Sequence, residues 1–313
     1  MTTPNVLVAT WDDGLFAVTD ATRDHELPGQ SIRALAPDGR GGALAIVGKR
    51  ALWRRDPAGV WSTLWESELD LACCVAIGDD IFVGTEDARI LRVSAGGQVE
   101  PLRAFDTVAG RDTWYAGTIL IYGELVGPPL GVRSMTATLD GTLLANVHVG
   151  GIPRSVDGGA TWTPTIDVDS DVHEVRAHPS RAGIVVAAAA VGLCTSRDGG
   201  ATWDVEDAGL HAPHCSAIAF VGDDVLVSAA TDPFASHGAI YRRPVDGAGP
   251  LVLVGNGLPE WLDGIVDTRC IAARGGAAAV CDSEGNLYVS ADAGQTWSHR
   301  AGGAPSPSSV LIL

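Results

Sequence analysis

Lysine is almost missing from this chain: Lys49 is the only one in 313 residues, and 21 Lys and Arg stand against 38 Asp and Glu, for a formal net charge of −17. So acidic a surface repels a nucleic-acid backbone and an anionic membrane, and the arginines are scattered, so neither is expected as a partner. Long apolar runs are missing too. None reaches the ~18 residues of a membrane span, and the run over 183–192 reads as one buried strand. The opening residues Met1-Thr2-Thr3-Pro4-Asn5 lack the positive segment and apolar core of a secretion signal. The six cysteines, Cys73, Cys74, Cys194, Cys215, Cys270 and Cys281, contain no C-x-x-C pair, and most lie inside apolar runs. These absences point to reduced core thiols and a cytoplasmic location. No stretch keeps a 3.6-residue apolar period, which excludes a helical fold.

What the chain does contain is a repeated octapeptide. Ser155-Val156-Asp157-Gly158-Gly159-Ala160-Thr161-Trp162 returns as Ser196-Arg197-Asp198-Gly199-Gly200-Ala201-Thr202-Trp203, and more loosely as Ser290-Ala291-Asp292-Ala293-Gly294-Gln295-Thr296-Trp297. The shared pattern S-x-D-x-G-x-T-W describes a fastened hairpin. The Asp accepts from backbone N–H groups of its own turn, Gly supplies a positive φ, and Thr and Trp re-enter a strand. The first two copies start 41 residues apart and the third 94 further on. Those spacings correspond to about one and about two four-stranded propeller blades.

The octapeptide resembles the Asp-box, or BNR repeat, of sialidases and related β-propellers. The resemblance implies that Asp157, Asp198 and Asp292 are structural and sit on outer turns away from the ligand face. The stretch 105–134, with its R-D-x-W-Y and G-P-P-x-x-V-R-S pieces, is similar to a bacterial, sialidase-like branch of BNR-repeat proteins within the wider WD40/YVTN/BNR-like group. That likeness continues over most of the chain, although 117–126 departs from the short Pro- and Gly-rich link of that branch.

Short runs rich in Val, Ile, Leu and Ala alternate with Gly and Asp turns from end to end, as in an all-β protein. Six units of four strands are readable over 31–65, 71–104, 132–164, 172–206, 215–254 and 268–300. One strand at 309–313 remains over, with orphan strands within 5–26. These complete each other as a seventh blade, which closes the ring and removes its exposed sheet edges. The expectation is therefore one β-propeller domain over 1–313, with seven blades and with six as the alternative, since sialidases have six. The segment 107–131 breaks the rhythm and reads as an ordered flap over one face, because long loops in compact domains are mostly functional.

In propellers the inner strand opens from the ligand face, and the link between second and third strands returns there. By that rule Arg33, Arg133 and Arg269 occupy matching places near the start of three inner strands, where three guanidinium groups could clamp a carboxylate as the sialidase arginine triad does. With Asp171 and Asp263 they form the candidate catalytic set. The F/Y-R-I-P signature of sialidases is missing, and no Tyr–Glu nucleophile pair can be assigned, because Tyr241 and Tyr288 lie in third strands. The competing reading pairs these arginines with carboxylates of neighbouring blades, such as Asp70 or Asp267. His148, His173, His214 and His237 fall on three adjacent blades at the same mouth, where neutral imidazoles beside Asp171 would suit a divalent transition metal. Against it stands the reading of four separate histidines bonded to loop backbone. Trp11, Trp114, Tyr115, Trp261 and His211 are the candidate ligand-binding residues.

Three functions stay open. The first is a sialidase-like propeller recognising a small polar or carbohydrate-like ligand, with or without glycoside hydrolase chemistry. The second is a metal-dependent lyase or hydrolase, and the third a non-catalytic protein-interaction scaffold. No cofactor is certain, and the oligomeric state is left open.

Overall fold

The computed structural model describes residues 4–117, 119–121, 124–126, 130–247 and 249–313. Seven antiparallel sheets stand in a ring, and in six of them the four main strands run in sequence order from the channel outwards. The inner strands are Ile32–Pro37, Leu71–Ile77, Val132–Ala137, Val172–Ala177, His214–Val221, Ile271–Arg274 and Pro307–Ile312. Each contacts the next, and the last returns to the first. The seventh blade is built from both ends of the chain. Pro307–Ile312 pairs with Val6–Thr10, which continues into Leu15–Val18 and Arg23–Glu26. Seven blades, and not six, are therefore present. The fifth blade carries an addition: Leu262–Asp263 pairs with the upper end of its third strand, His237–Pro244.

The core follows from this plan. A strand buried on both faces must be apolar throughout, and the second strands Ala43–Val47, Leu143–Val147 and Val185–Ala189 are buried at every residue. Buried side chains gather into seven clusters, one in each gap between neighbouring blades. All six cysteines are free and buried. Burial pushes the Cys73 thiol up to about 11 and Cys194 up to about 12, which keeps both protonated and inert.

The octapeptides form the links between third and fourth strands, at the end of the ring opposite the mouth. In the first copy Asp157 accepts from the Thr161 backbone N–H (2.9 Å) and hydroxyl (2.6 Å), while Ser155 Oγ accepts from Gly159 N (2.8 Å). The same three bonds recur around Asp198 and Asp292. Trp162 and Trp297 are buried against the preceding blade. Gly200 has to be glycine: at φ +82° a Cβ there would sit 2.1 Å from Leu144 Cδ2 of the preceding blade. A reduced copy at 54–61 keeps the Asp, with Asp56 accepting from Ala58 N and Val60 N, but its Trp61 indole donates to Glu26 instead.

These turns predict an acid limb in stability. Bonds from Thr161 and from Thr296 hold Asp157 and Asp292 down at about 2, against 3.8 for a free Asp. At Asp198 burial acts upward, but the Thr202 and Ser196 bonds outweigh it and hold the carboxyl at about 2. A depressed folded pKa stabilises above the unfolded value and is lost as pH falls through the folded one. Chemical denaturation of the Asp157→Asn, Asp198→Asn and Asp292→Asn triple variant should therefore show a flatter stability–pH curve between about pH 4 and 2 than the parent. An unchanged slope would mean that the turns do not couple to folding.

The expected flap over 107–131 lies partly outside the described residues, which omit 118, 122–123 and 127–129. The described part contains short 3-10 turns at Arg103–Thr107 and Arg111–Thr113 and a two-stranded hairpin, Ile119–Ile121 with Glu124–Val126.

Candidate functional site

The mouth of the channel is shaped by one device that recurs around the ring. In the first four blades and the seventh the pairing of inner and second strands skips one residue near the start of the inner strand. The skipped residues are Arg33, Ala72, Arg133, His173 and Ser308. A bulge of this kind re-aims the extra side chain out of the alternation of the strand. A charged or imidazole group can therefore stand in the mouth while its neighbours Ile32, Ala34, Val132 and Val172 remain core.

Arg33 and Arg133 line a cavity of about 390 Å³ together with Lys49, Glu86, Asp267, Thr268, Arg269 and Trp11. Arg33 pairs with Glu86, with its guanidinium over the Trp11 ring at 5.4 Å. Arg133 donates to Thr268 Oγ1 at 3.1 Å and lies 3.8 Å from Asp267; burial lowers its pKa against the pull of that carboxylate. Arg33 is thus paired with a neighbouring-blade carboxylate, Glu86 rather than Asp70, whereas Arg133 meets Asp267 across the channel, at the entry to the sixth blade.

Arg269 behaves differently. Its backbone is left-handed, at φ +67°. From there the guanidinium crosses the channel and donates to the Arg133 carbonyl (2.6 Å) and the Arg33 carbonyl (3.1 Å). Its own N–H donates to Glu174 Oε2 at 3.1 Å. Glu174, fully buried, also accepts from Ile218 N (3.2 Å) and from Arg176 Nε (2.8 Å). Below this brace a second cavity of about 350 Å³ is lined largely by apolar inner-strand residues such as Leu35, Met135, Val175 and Ile271. Arg269 is thus a cross-brace tying the sixth, third and first blades, with two of its donors committed to carbonyls while its charge still borders the cavity.

The histidines divide. His148, at the second-to-third strand link, His173, on its bulge, and Asp171, left-handed at φ +47°, offer ligand atoms that all lie within 4.8 Å of one another. His148 Nε2 is 3.3 Å and His173 Nε2 3.7 Å from Asp171 Oδ1. His214 packs on His173 with ring centres 4.7 Å apart, and burial brings its pKa down to about 4. Burial, with Arg133 beside it, likewise lowers the pKa of His148; the adjoining His173 ring and Arg133 outweigh burial at Asp171 and lower that of its carboxyl. His237 does not join them. It is exposed, and its backbone pairs with Asp263 and Gly264.

The remaining expected residues scatter. Asp263 is exposed, accepts from Asn286 Nδ2 at 3.3 Å and lines no part of the cavity. Trp114 is 8% exposed and packs against Phe105 in the core between second and third blades, so its ring offers no face to a ligand. Tyr115 is exposed, next to it in sequence. Trp261, 46% exposed, stands edge-on to His211, whose Nδ1 meets the Tyr241 hydroxyl at 2.9 Å. Two residues escaped the sequence reading. Glu174 is signalled only by its place in the apolar strand V-H-E-V-R-A, where an acid needs buried partners. Gly117 presses on His148 so closely that a Cβ there would lie 1.7 Å from Cε1.

Comparison with known proteins agrees with the fold. The family described as BNR/Asp-box repeat matches residues 288–299, the third octapeptide. None of the curated proteins matches the chain. Among solved structures, an ancestral GH74 enzyme superposes with a TM-score of 0.61 at 13% identity, over 100% of this chain and 40% of its own. The GH74 xyloglucanase from Xanthomonas campestris gives 0.57 at 17%, over 86% and 45%. YCF48 bound to D1 peptide gives 0.51 at 13%, over 80% and 81%. This chain spans less than half the length of either GH74 enzyme, and at these identities the likeness is one of fold.

Proposed function

We propose that this seven-bladed propeller of the BNR/Asp-box type binds a small anionic polar molecule, of the sugar-acid class, at the mouth of its channel. One observation carries the reading. In a protein of net charge −17, four cationic side chains (Arg33, Lys49, Arg133 and Arg269) face only two carboxylates, Glu86 and Asp267, around one cavity. The sole lysine of the chain is among them. Long-range repulsion would keep an anion away, so a local excess of positive charge marks the place where one is wanted. The volume lies within the ~300–1,000 Å³ typical of small-molecule pockets. Trp11 adds a flat apolar surface, and Thr268 a hydroxyl. The GH74 neighbours, one a xyloglucanase, favour carbohydrate as the scaffold bearing the charge. The segment 107–131 would cover the bound molecule, and the cytoplasm would supply it.

Turnover is the second reading, as a hydrolase or metal-dependent lyase. It is favoured by His148, Asp171 and His173, which border Arg133.

Calorimetric titration at low salt with D-glucuronate, inorganic phosphate and D-glucose tests the proposal. The two anions should bind and glucose should not. A hydrogen bond to a charged group contributes ~1.5–3 kcal/mol, so Arg133→Gln and Lys49→Gln should each weaken binding about ten- to hundredfold. Equal binding of glucose, no binding of either anion, or indifference to both substitutions would overturn it. The last two outcomes would leave a protein-interaction scaffold.

A further inference from the structure

We infer that His148, Asp171 and His173 bind one divalent first-row transition ion of the zinc class through His148 Nε2, Asp171 Oδ1 and His173 Nε2. The inference goes beyond anion recognition and stands whether or not an anion occupies the neighbouring cavity.

The first ground is spacing. Donors about 2.0–2.1 Å from a tetrahedral ion lie about 3.3 Å from one another. The two imidazole nitrogens stand 3.3 Å and 3.7 Å from the Asp171 oxygen, and all three donors lie within 4.8 Å of one another, so two of the three spacings are already close to the tetrahedral value. The second ground is an account of buried polar atoms. Among the described residues Asp171 Oδ1, itself buried, has no hydrogen-bond partner. A buried carboxylate oxygen facing two imidazoles without a made bond is costly as a purely structural arrangement. Ligation gives it a partner.

Orientation is the third ground. His173 Nδ1 lies 2.6 Å from the Cys215 carbonyl, a bond in which Nδ1–H donates and Nε2 is left with its lone pair toward Asp171. This is the outer-shell arrangement by which proteins fix the tautomer of a ligating histidine. Asp171 is held in place by its left-handed backbone, a conformation uncommon outside glycine, Asn and Asp. Charge does not forbid the ion, although Arg133 is close. Its guanidinium is turned to Thr268 and Asp267, and Asp171 supplies a full negative charge.

Two imidazoles and one carboxylate leave at least one coordination position open, which is the composition of reactive rather than purely structural centres. His214, packed at a tilt against His173, is a further imidazole beside the site.

The test uses the full chain, stripped with EDTA and kept in buffer free of phosphate and carboxylates, so that failure of anion binding cannot affect the result. Titration with Zn²⁺, and with Co²⁺ followed by visible absorption, should show one saturable ion per chain. His173→Ala and Asp171→Asn should each weaken binding at least tenfold, while His237→Ala leaves it unchanged. If the alanine variant fails to fold, the parent alone decides: Co²⁺ should shift the ring proton resonances of His148 and His173 far more than those of His237. No saturable binding, binding indifferent to both substitutions, or paramagnetic shifts centred elsewhere would overturn the site.

Discussion

Deleting residues 307–313 should abolish the cooperative thermal transition. That segment is the innermost strand of the seventh blade, and its neighbours on three sides depend on it. It pairs with Val6–Thr10 along its length, and Val310 N donates to the Arg269 carbonyl at 2.8 Å. Ser309 Oγ accepts from Leu35 N at 3.2 Å, and Ser308 Oγ donates to the Ile32 carbonyl. Val310 and Ile312 enter the cluster against the sixth blade, and Leu311 the cluster against the first. Burying each such aliphatic side chain contributes ~1.5–3 kcal/mol, so three supply ~5–9. Whole-domain stability is only ~5–15 kcal/mol, and the loss also exposes the sheet edge of Val6–Thr10. Near-ultraviolet circular dichroism against temperature should show no sigmoidal melt for the truncated chain. A synthetic peptide of residues 307–313 should restore it by adding back the missing strand. A shortened protein melting cooperatively near the parent temperature would show that the ring does not depend on its clasp.

Glu174→Ala should cost ~3–5 kcal/mol, the range found when one partner of a buried ion pair is removed. The carboxylate accepts from two backbone N–H groups on different blades, Ile218 and Arg269, and from the Arg176 side chain. Alanine leaves both N–H groups facing a void and releases the left-handed Arg269, whose guanidinium braces two further blades. Glu174→Gln keeps one acceptor oxygen and the volume, and should cost about half as much. Urea denaturation of the three proteins settles the ordering, and an alanine variant within ~1 kcal/mol of the parent would show the brace to be dispensable.

Much of the architecture could be read from residues, because propeller blades repeat. The octapeptide spacing, the short apolar runs between Gly and Asp turns and the unpaired strands at the two ends together led to seven blades. Part of the mouth was legible for the same reason: Arg33, Arg133 and His173 share one position relative to their strands. The physical cause, a bulge at that position, is not visible in any single copy. Position alone failed where partners decide. Arg269 occupies a comparable place, but a left-handed backbone turns it across the channel to carbonyls. Trp114 reads as a flap aromatic, yet Phe105 offers it a dry seat and burial wins. His237 was grouped with the other histidines by its link, whereas the added strand Leu262–Asp263 holds its backbone at the outer rim. Two of these misses turn on contacts between residues far apart in sequence, and the third on a neighbour nine residues away.

The guanidinium of Arg269 has a consequence for traffic. A propeller's axis is commonly pictured as a corridor, but here a rigid crossbar divides it into an upper room and a lower one. Whatever enters from above must leave by the same doorway. A plug seated there would therefore stop arrival and departure together.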